Sequence, residues 1–362
     1  MADLKELREQ INLIDDEMAD LFEKRMKICA QIGEYKKERF LPVKDEAREC
    51  ELLEKNSQRI TDPDIKPYYV DYLKSVMNIS CNYQNRLISG IRAAYSGVPG
   101  AYAYVATNRF FSDCIPVACP NFDYAYNAVE KGECDCAVLP LENSYAGEVG
   151  AVTDMLFSGN LYVNRIVTLD IEHYLLGVKG ATKQDVKTVV SHPQALMQCD
   201  EYIKKNGYAT EEYSNTAAAA QYVAARGDKS IAAIASVETA EMFGLDVIER
   251  RIYTDKNNST RFGLFSKVLN LPSPDAKADS CGFILLFTVP DATGALAMAL
   301  DIIGSHGFNM RALRSRPMKG LSWNYYFYVE GEGNIASPDG QDLLQELSAV
   351  CGTLRLAGAY NY

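Results

Sequence analysis

At 362 residues the chain has room for two or three domains of ordinary size, and its 48% hydrophobic content is enough to fill their cores. Its net charge of −11 comes with no Lys/Arg block long enough to follow a nucleic-acid backbone, so no nucleic-acid partner is expected, although a few local arginines could still hold a small anion. No run of about 18 apolar residues occurs, and MADLKELREQ is charged from its third residue; neither a membrane span nor export is expected, and the ten cysteines are expected to be reduced thiols in a cytoplasmic protein.

Residues 1–89 form a first segment. Leu4, Leu7, Ile11, Ile14, Met18, Leu21, Arg25, Ile28 and Ile32 follow a 3–4 spacing, the seam of a coiled-coil-like helix. No Gly or Pro interrupts it before Gly33, and the pattern reaches about Arg39, which gives a helix about 50 Å long. A helix of that length needs partners along it, so a homodimer sharing helices is expected, or a higher homo-oligomer. Two more helices are predicted, Asp45 to Gln58 and Ile65 to about Ser89, making the segment all-α.

Arg25 sits on the apolar seam, where a guanidinium needs a partner. It is read either as a surface arginine or structural ion pair at a frayed seam, or as part of an anion site inside the bundle. Arg8, Asp15 and Lys36 lie on one line of seven-residue steps beside it. Lys44, Asp45, Arg48 and Glu49 open the second helix, and Ser80 and Gln84 share a face of the third. Two arginines and a lysine after a Gly, then Asp-x-x-Arg-Glu, then a late Gln: the segment resembles the helical chorismate mutase family. The resemblance implies that Arg8 (from the other subunit), Arg25 and Arg48 bind the carboxylates of chorismate. Asp45 and Glu49 would position its hydroxyl and neighbouring cations, and Lys36 and Gln84 would act catalytically by donating to the ether oxygen. Ser80 would lie against the substrate.

Residues 90–271 alternate short β runs with helices. IRAAYS, CDCAVLPL, LYVNRIVTL, HYLLGV, KTVVSH and SIAAIA are predicted strands; stretches near 121–130, 194–205 and 215–226 are predicted helices, together an α/β plan. Cys134 and Cys136 are read as strand core, since no second cysteine pair or nearby His completes a metal site; no metal is expected. GVPG lacks the dinucleotide spacing and no Walker sequence occurs, so no cofactor is expected. Five motifs fall at or just after predicted strands, where open α/β sheets place ligand sites: GVPGAY (97–102), LPLENSYAGEVG (139–150), SHPQALMQC (191–199), YSNTAAAA (213–220) and NNSTRF (257–262). Taken singly, an Asn or Ser before a helix is usually a cap, and His192 before Pro193 can be a structural turn.

In this order the five motifs resemble prephenate dehydratase, a fold of two α/β lobes with the active site in the cleft. The resemblance makes Thr260 the catalytic residue acting on the departing hydroxyl. It makes Glu142, Asn143, Ser144, Ser191, Gln198, Asn215, Thr216, Thr260, Arg261 and Phe262 the candidate prephenate-binding residues. Arg261 can equally be a structural salt bridge. This chain departs from the family pattern at Ala101 and Ala103, which flank Tyr102 where hydroxyl residues are common.

LPSPDAKADS (271–280) is read as a linker, and residues 279–362 follow as strand, helix, strand, strand, helix, strand. This βαββαβ order is the ferredoxin-like α+β plan. Thr293-Gly294-Ala295-Leu296, Asn309 and Arg314-Ser315-Arg316-Pro317 resemble an ACT domain. That implies phenylalanine as effector, held by Gly294, Ala295, Leu296, Asn309, Arg314, Ser315, Arg316 and Pro317 at an edge paired across a dimer. Arg314 stands where the pattern usually has Glu. The whole chain therefore reads as a multidomain enzyme of phenylalanine biosynthesis. It would take chorismate to prephenate and prephenate to phenylpyruvate. A fusion to a dehydrogenase would need a nicotinamide site, and a binding protein with a degenerate cleft would draw support from Ala101, Ala103 and Arg314.

Overall fold

The computed structural model describes residues 3–39, 41–254, 258–318 and 324–361. Asn257 of the NNSTRF motif and Trp323, placed at a strand start, lie outside the described residues. The chain divides into two compact units, residues 1–92 and 93–362.

In the first unit, α1 (Leu4–Glu38), α2 (Glu46–Ser57) and α3 (Lys66–Ser89) match the three predicted helices to within a residue or two. The Asp3 backbone N–H donates to the Glu6 carboxylate at 3.4 Å, and Lys36 and Lys37 in the last turn of α1 favour its negative dipole end. Asp45 caps α2 by accepting from the Arg48 N–H at 3.0 Å. α3 turns Val76, Ser80 and Gln84, spaced four apart, towards α1, where Cys29 and Gly33 are buried. The seam of α1 is not covered by α2 or α3: Ile11 is 59% and Leu21 62% exposed.

The second unit begins with β1 (Arg92–Ser96), α4 (Tyr102–Phe110), β2 (Ile115–Cys119), α5 (Phe122–Glu130), β3 (Cys136–Asn143), β4 (Gly147–Glu148), α6 (Gly150–Ser158) and β5 (Tyr162–Asp170). It continues through β6 (Tyr174–Gly177), β7 (Thr188–Ser191), α7 (Pro193–Gln198), α8 (Asp200–Asn206), β8 (Ala209–Glu212), α9 (Thr216–Arg226), β9 (Ile231–Ala235), α10 (Val237–Phe243), β10 (Asp246–Glu249) and β11 (Ser259–Ser266). The last stretch is β12 (Cys281–Thr288), α11 (Ala295–Ser305), β13 (Asn309–Pro317), β14 (Tyr325–Glu332), α12 (Pro338–Val350) and β15 (Thr353–Asn361).

Two mixed sheets result. One runs β13-β14-β12-β15-β5-β11-β3-β1-β2 with β4 beside β3, and the other runs β10-β6-β9-β7-β8. The chain leaves the first sheet after β5 and returns to it at β11, so the second lobe is inserted between these two neighbouring strands. Ala-rich strand and helix pack closely in the second lobe, where Ala233 and Ala235 of β9 share a core with Ala219, Ala220 and Val223 of α9. The single helix expected near 194–205 is two. Cys199 leaves helical geometry at ψ 12°, and the Gln198 carbonyl accepts from the Thr254 N–H at 3.1 Å.

Residues 281–361 keep the expected βαββαβ order with strands in the order β13-β14-β12-β15. One face of these strands buries Phe283, Leu285 and Phe287 under α11 and α12. The other face, with Ile284, Leu286, Tyr326 and Tyr328, joins the core of the first lobe beside Val152, Leu156 and Phe265. β15 continues the lobe's sheet by pairing in parallel with β5 at Gly358 and Val163. The 271–280 stretch is held rather than loose: buried Asn334 donates to the carbonyls of Ser273, Pro274 and Ala276.

Candidate active sites

The helical unit gathers part of the expected cation set. Arg25 donates to the Ser80 hydroxyl, which itself donates to the Val76 carbonyl at 2.7 Å. Gly33 has no side chain where Gln84 crosses; a Cβ there would lie 3.4 Å from Gln84 Cγ. Gln84 is 6% exposed, and its Oε1 is buried without a hydrogen-bond partner among the described residues. A buried amide oxygen left unpaired costs about 1–3 kcal/mol, a cost compatible with a group reserved for a ligand. One turn on from Gly33, Lys36 donates from Nζ to the Val43 carbonyl at 2.7 Å. Glu49 accepts from the Cys81 thiol at 3.6 Å; burial first, then the Glu49 charge, pushes that thiol's pKa up.

Three expected residues are not brought to this face by the chain alone. Arg48 pairs with Glu51 at 2.6 Å on the surface of α2, and the Asp45 carboxylate is engaged as the α2 cap. Arg8 is exposed and 17 residues from Arg25, about 25 Å along one helix, so the two cannot meet on a single copy of α1.

Between the lobes of the second unit lies a cleft of about 530 Å³. Five of the ten expected binding residues line it: Asn143, Gln198, Asn215, Thr216 and Thr260. Thr260 on β11 is the register partner of Asn143 on β3. Asn143 Nδ2 lies 2.9 Å from Thr260 Oγ1, 2.8 Å from Asn258 Oδ1 and 3.1 Å from the Ser259 carbonyl. Its Oδ1 accepts from the N–H groups of Tyr145 and Ala146, so the amide is fixed from both ends. The starts of α4, α6, α7 and α9 also reach the cleft through Tyr102, Gly150, Gln194 and Thr216. Helix N-termini present free N–H groups and partial positive charge, and α4 and α6 have no side-chain cap on theirs.

The other five point elsewhere. Arg261 grips Glu330 of β14 with both guanidinium nitrogens, one at 2.9 Å, the structural ion pair that the sequence left open. Burial works against charge on Arg261, but the Glu330 bonds outweigh it and raise its pKa. Glu142 pairs with Arg314. Ser144 Oγ accepts from the Ser259 N–H at 2.9 Å, Ser191 Oγ donates to the Ile234 carbonyl at 2.6 Å, and Phe262 is core. Strand alternation separates the neighbours Thr260 and Arg261: Thr260 faces the cleft, so Arg261 faces away.

Tyr102, His173, Asn258 and Glu148 also line the cleft and carry polar chemistry that sequence reasoning did not single out. His173 is 2% exposed; its Nε2 lies 2.7 Å from Gln198 Oε1, which also accepts from Asn258 Nδ2 at 3.0 Å. Burial lowers the His173 pKa against the opposing pull of the Gln198 bond, so the ring is neutral and donates from Nε2. The Tyr102 hydroxyl donates to the Glu172 carbonyl at 2.6 Å, and burial raises its pKa. Two of the chain's three histidines, His173 and His192, meet here, a scarcity that could have drawn attention. His192 caps α7, its Nδ1 accepting from the Gln194 N–H.

The expected effector residues fall on two faces of the C-terminal sheet. Arg314 and Arg316 reach Glu142, Glu148 and Asp154 of the first lobe, while Ser315 and Pro317 point to the opposite side. Gly294 takes left-handed geometry before α11, followed by Ala295 and Leu296, and Asn309 donates to Glu332 at 2.7 Å. Among the described residues no cluster of three or more His, Cys, Asp or Glu could hold a metal, and no helix is long and apolar enough to cross a membrane.

Residues 7–85 match the family model for chorismate mutase type II, and residues 93–269 that for prephenate dehydratase. The bifunctional chorismate mutase/prephenate dehydratase of Escherichia coli (strain K12) is 30% identical over 370 residues, 98% of this chain and 95% of that one. The arogenate dehydratase/prephenate dehydratase 1, chloroplastic, of Arabidopsis thaliana is 33% identical over 286 residues, 75% of this chain and 72% of that one. The structure of prephenate dehydratase from Arthrobacter aurescens in complex with L-Phe is 26% identical with a TM-score of 0.68, covering 75% of this chain and 90% of that chain. With both segments matched in order and nearly full-length identity to a two-activity relative, the chain belongs to the bifunctional chorismate mutase/prephenate dehydratase family.

Proposed function

We infer that this chain rearranges chorismate to prephenate on its helical unit and converts prephenate to phenylpyruvate in its cleft. The observation that carries the second half is the Thr260 hydroxyl, fixed by Asn143 at the wall of a cleft where helix starts converge. Because Oγ1 accepts from Asn143, its own O–H is left to donate to the ring hydroxyl of prephenate as that group departs. The ring carboxylate leaves as carbon dioxide, the hydroxyl takes up a proton as water, and the ring becomes aromatic. With its Oε1 accepting from His173 and Asn258, Gln198 keeps an NH₂ group to orient the substrate. The free N–H groups at the starts of α4 and α6 receive carboxylates.

The rearrangement of chorismate needs no nucleophile and no proton transfer. It needs donors aimed at the ether oxygen, where negative charge grows as the C–O bond stretches. Lys36 and Gln84 are those donors, Gln84 through its NH₂ group. Arg25 binds a carboxylate after releasing Ser80, and Arg48 does so after releasing Glu51. Arg8 comes from a second copy, whose α1 also covers the exposed seam of Leu7, Ile11 and Ile14; the working unit is a homodimer or larger.

The domains run 1–89 (mutase), 90–271 (dehydratase) and 279–362 (ACT type). Phenylalanine binds the last at Gly294, Ala295, Leu296, Asn309, Ser315 and Pro317, a reading supported by the L-Phe bound to the Arthrobacter aurescens relative. The enzyme is given chorismate alone and followed for phenylpyruvate, with sedimentation for oligomer size. Formation of the aromatic keto acid by a dimer or larger species is the expected result. A monomer that leaves chorismate untouched would overturn it.

A further inference from the structure

Among the described residues lining the cleft there is no Lys or Arg, and Glu148 is the one carboxylate. That is an unfavourable wall for a substrate carrying two carboxylates. At an effective dielectric near 20, two like charges 10 Å apart repel by enough to weaken binding roughly tenfold. Glu148 is not left bare. Its Oε1 accepts from Arg316, which also donates to Asp154 at 2.7 Å. Its Oε2 lies 3.3 Å from Arg314 Nε, without hydrogen-bond geometry and with no other partner among the described residues. Arg314 therefore contributes charge to Glu148 rather than a directed bond; its directed bond goes to Glu142, the residue before Asn143.

Both arginines come from β13, far along the chain, and their aim has a backbone cause. The β13–β14 register shifts between Met310 and Ala312. This bulge puts Met310 with the core under α11 and α12, but Ala312 and the alternate residues after it towards the first lobe. Without the extra residue, Arg314 and Arg316 would point at the helices.

We propose that Arg314 is a positioning residue of the dehydratase cleft: by neutralising Glu148 and holding Glu142, it makes an otherwise anionic wall accept a dianionic substrate. The proposal rests on the dehydratase reading above. It assigns the C-terminal module a part in substrate affinity even with no effector bound. Arg314→Ala leaves Glu148 with one cation instead of two and leaves Glu142, beside the Asn143–Thr260 pair, with Arg261 alone at 3.6 Å.

The test is steady-state dehydratase kinetics of the full-length enzyme with prephenate and no phenylalanine. Arg314→Ala is expected to raise KM about tenfold with kcat within about twofold. Glu148→Gln alone is expected to lower KM, because the wall then carries no carboxylate while Arg314 and Arg316 keep their partners Glu142 and Asp154. The double variant is expected to return KM towards the starting value, and Arg314→Lys to stay close to it. If Arg314→Ala does not fold, Glu148→Gln decides by itself. An unchanged or raised KM in Glu148→Gln, or a double variant no better than Arg314→Ala, overturns the proposal. Absence of turnover in the unsubstituted enzyme would instead sink the dehydratase reading.

Discussion

Asn143 Nδ2 stands 2.9 Å from Thr260 Oγ1 across a cross-strand pair of β3 and β11. In the proposed dehydratase, this contact makes the Thr260 hydroxyl an acceptor from a doubly anchored amide and leaves its hydrogen to be donated into the cleft.

Thr260→Ala removes that donor without opening a large cavity. Dehydratase kcat is expected to fall by about 10²–10⁴-fold, while chorismate consumption by the same preparation stays at its original rate. Thr260→Ser keeps the hydroxyl and is expected to retain much of the activity. A coupled loss of both reactions in Thr260→Ala would contradict two separate sites.

Lys36→Ala and Gln84→Ala give the mirror image. In the proposed mutase each removes a donor to the developing charge, for which a loss of about 10²–10³-fold in mutase kcat is expected. Gln84→Ala also relieves a buried unpaired oxygen, so the thermal midpoint should hold or rise as catalysis is lost. Unaltered prephenate turnover in both variants is the control. A fall in stability together with intact mutase kinetics would make Gln84 a packing residue only.

Much of this was legible in sequence because the signals were periodic or locally capped. The α1 seam repeats every three to four residues as a helix requires, the continuous apolar runs of β9 and β12 are buried strands, and Asn215 caps α9. What escaped depends on which way a strand residue faces. Thr260, Arg261 and Phe262 are adjacent in the motif, yet only Thr260 lines the cleft, because strand alternation sends Arg261 to Glu330. The β13 bulge is a one-residue offset with no composition signal, and it decides that Arg314 and Arg316 serve the first lobe. His173 was visible only as the first letter of a strand, since its partner Gln198 is 25 residues away.

Glu330 is fully buried on β14 between Arg261, Tyr328 and Tyr360, with Tyr360 donating at 2.6 Å. Removing one partner of a buried pair leaves the other uncompensated, so Glu330→Gln is expected to cost about 3–5 kcal/mol. Burial pushes the Glu330 carboxyl upward, but the Arg261 bond and charge outweigh it and hold its pKa below the usual carboxylate value. A depressed folded-state value stabilises the protein above the unfolded carboxylate pKa, about 4.3, and that stability is lost as pH falls through the folded value. Denaturant unfolding of the wild type between pH 5 and pH 3 should therefore show an acid-side loss that Glu330→Gln lacks; parallel curves would show that the pair does not set the acid limit.

His173 works in the opposite pH range. Its buried ring resists protonation, so the folded pKa lies below the unfolded value of about 6.5. Between those two values the unfolded chain binds a proton that the native chain does not, and stability must fall as pH drops through that window. Protonation would also put a donor on Nδ1, 3.5 Å from the Tyr102 oxygen, and charge on a ring that is 2% exposed. His173→Asn keeps a polar amide near Gln198 but cannot titrate. Unfolding free energies measured at closely spaced pH values from 7 down to 5 should show a smaller slope in the variant than in the wild type. Equal slopes would mean that His173 is either charged in the native state or hydrated enough to titrate normally. In either case the neutral Nε2–H donor to Gln198 would have to be abandoned.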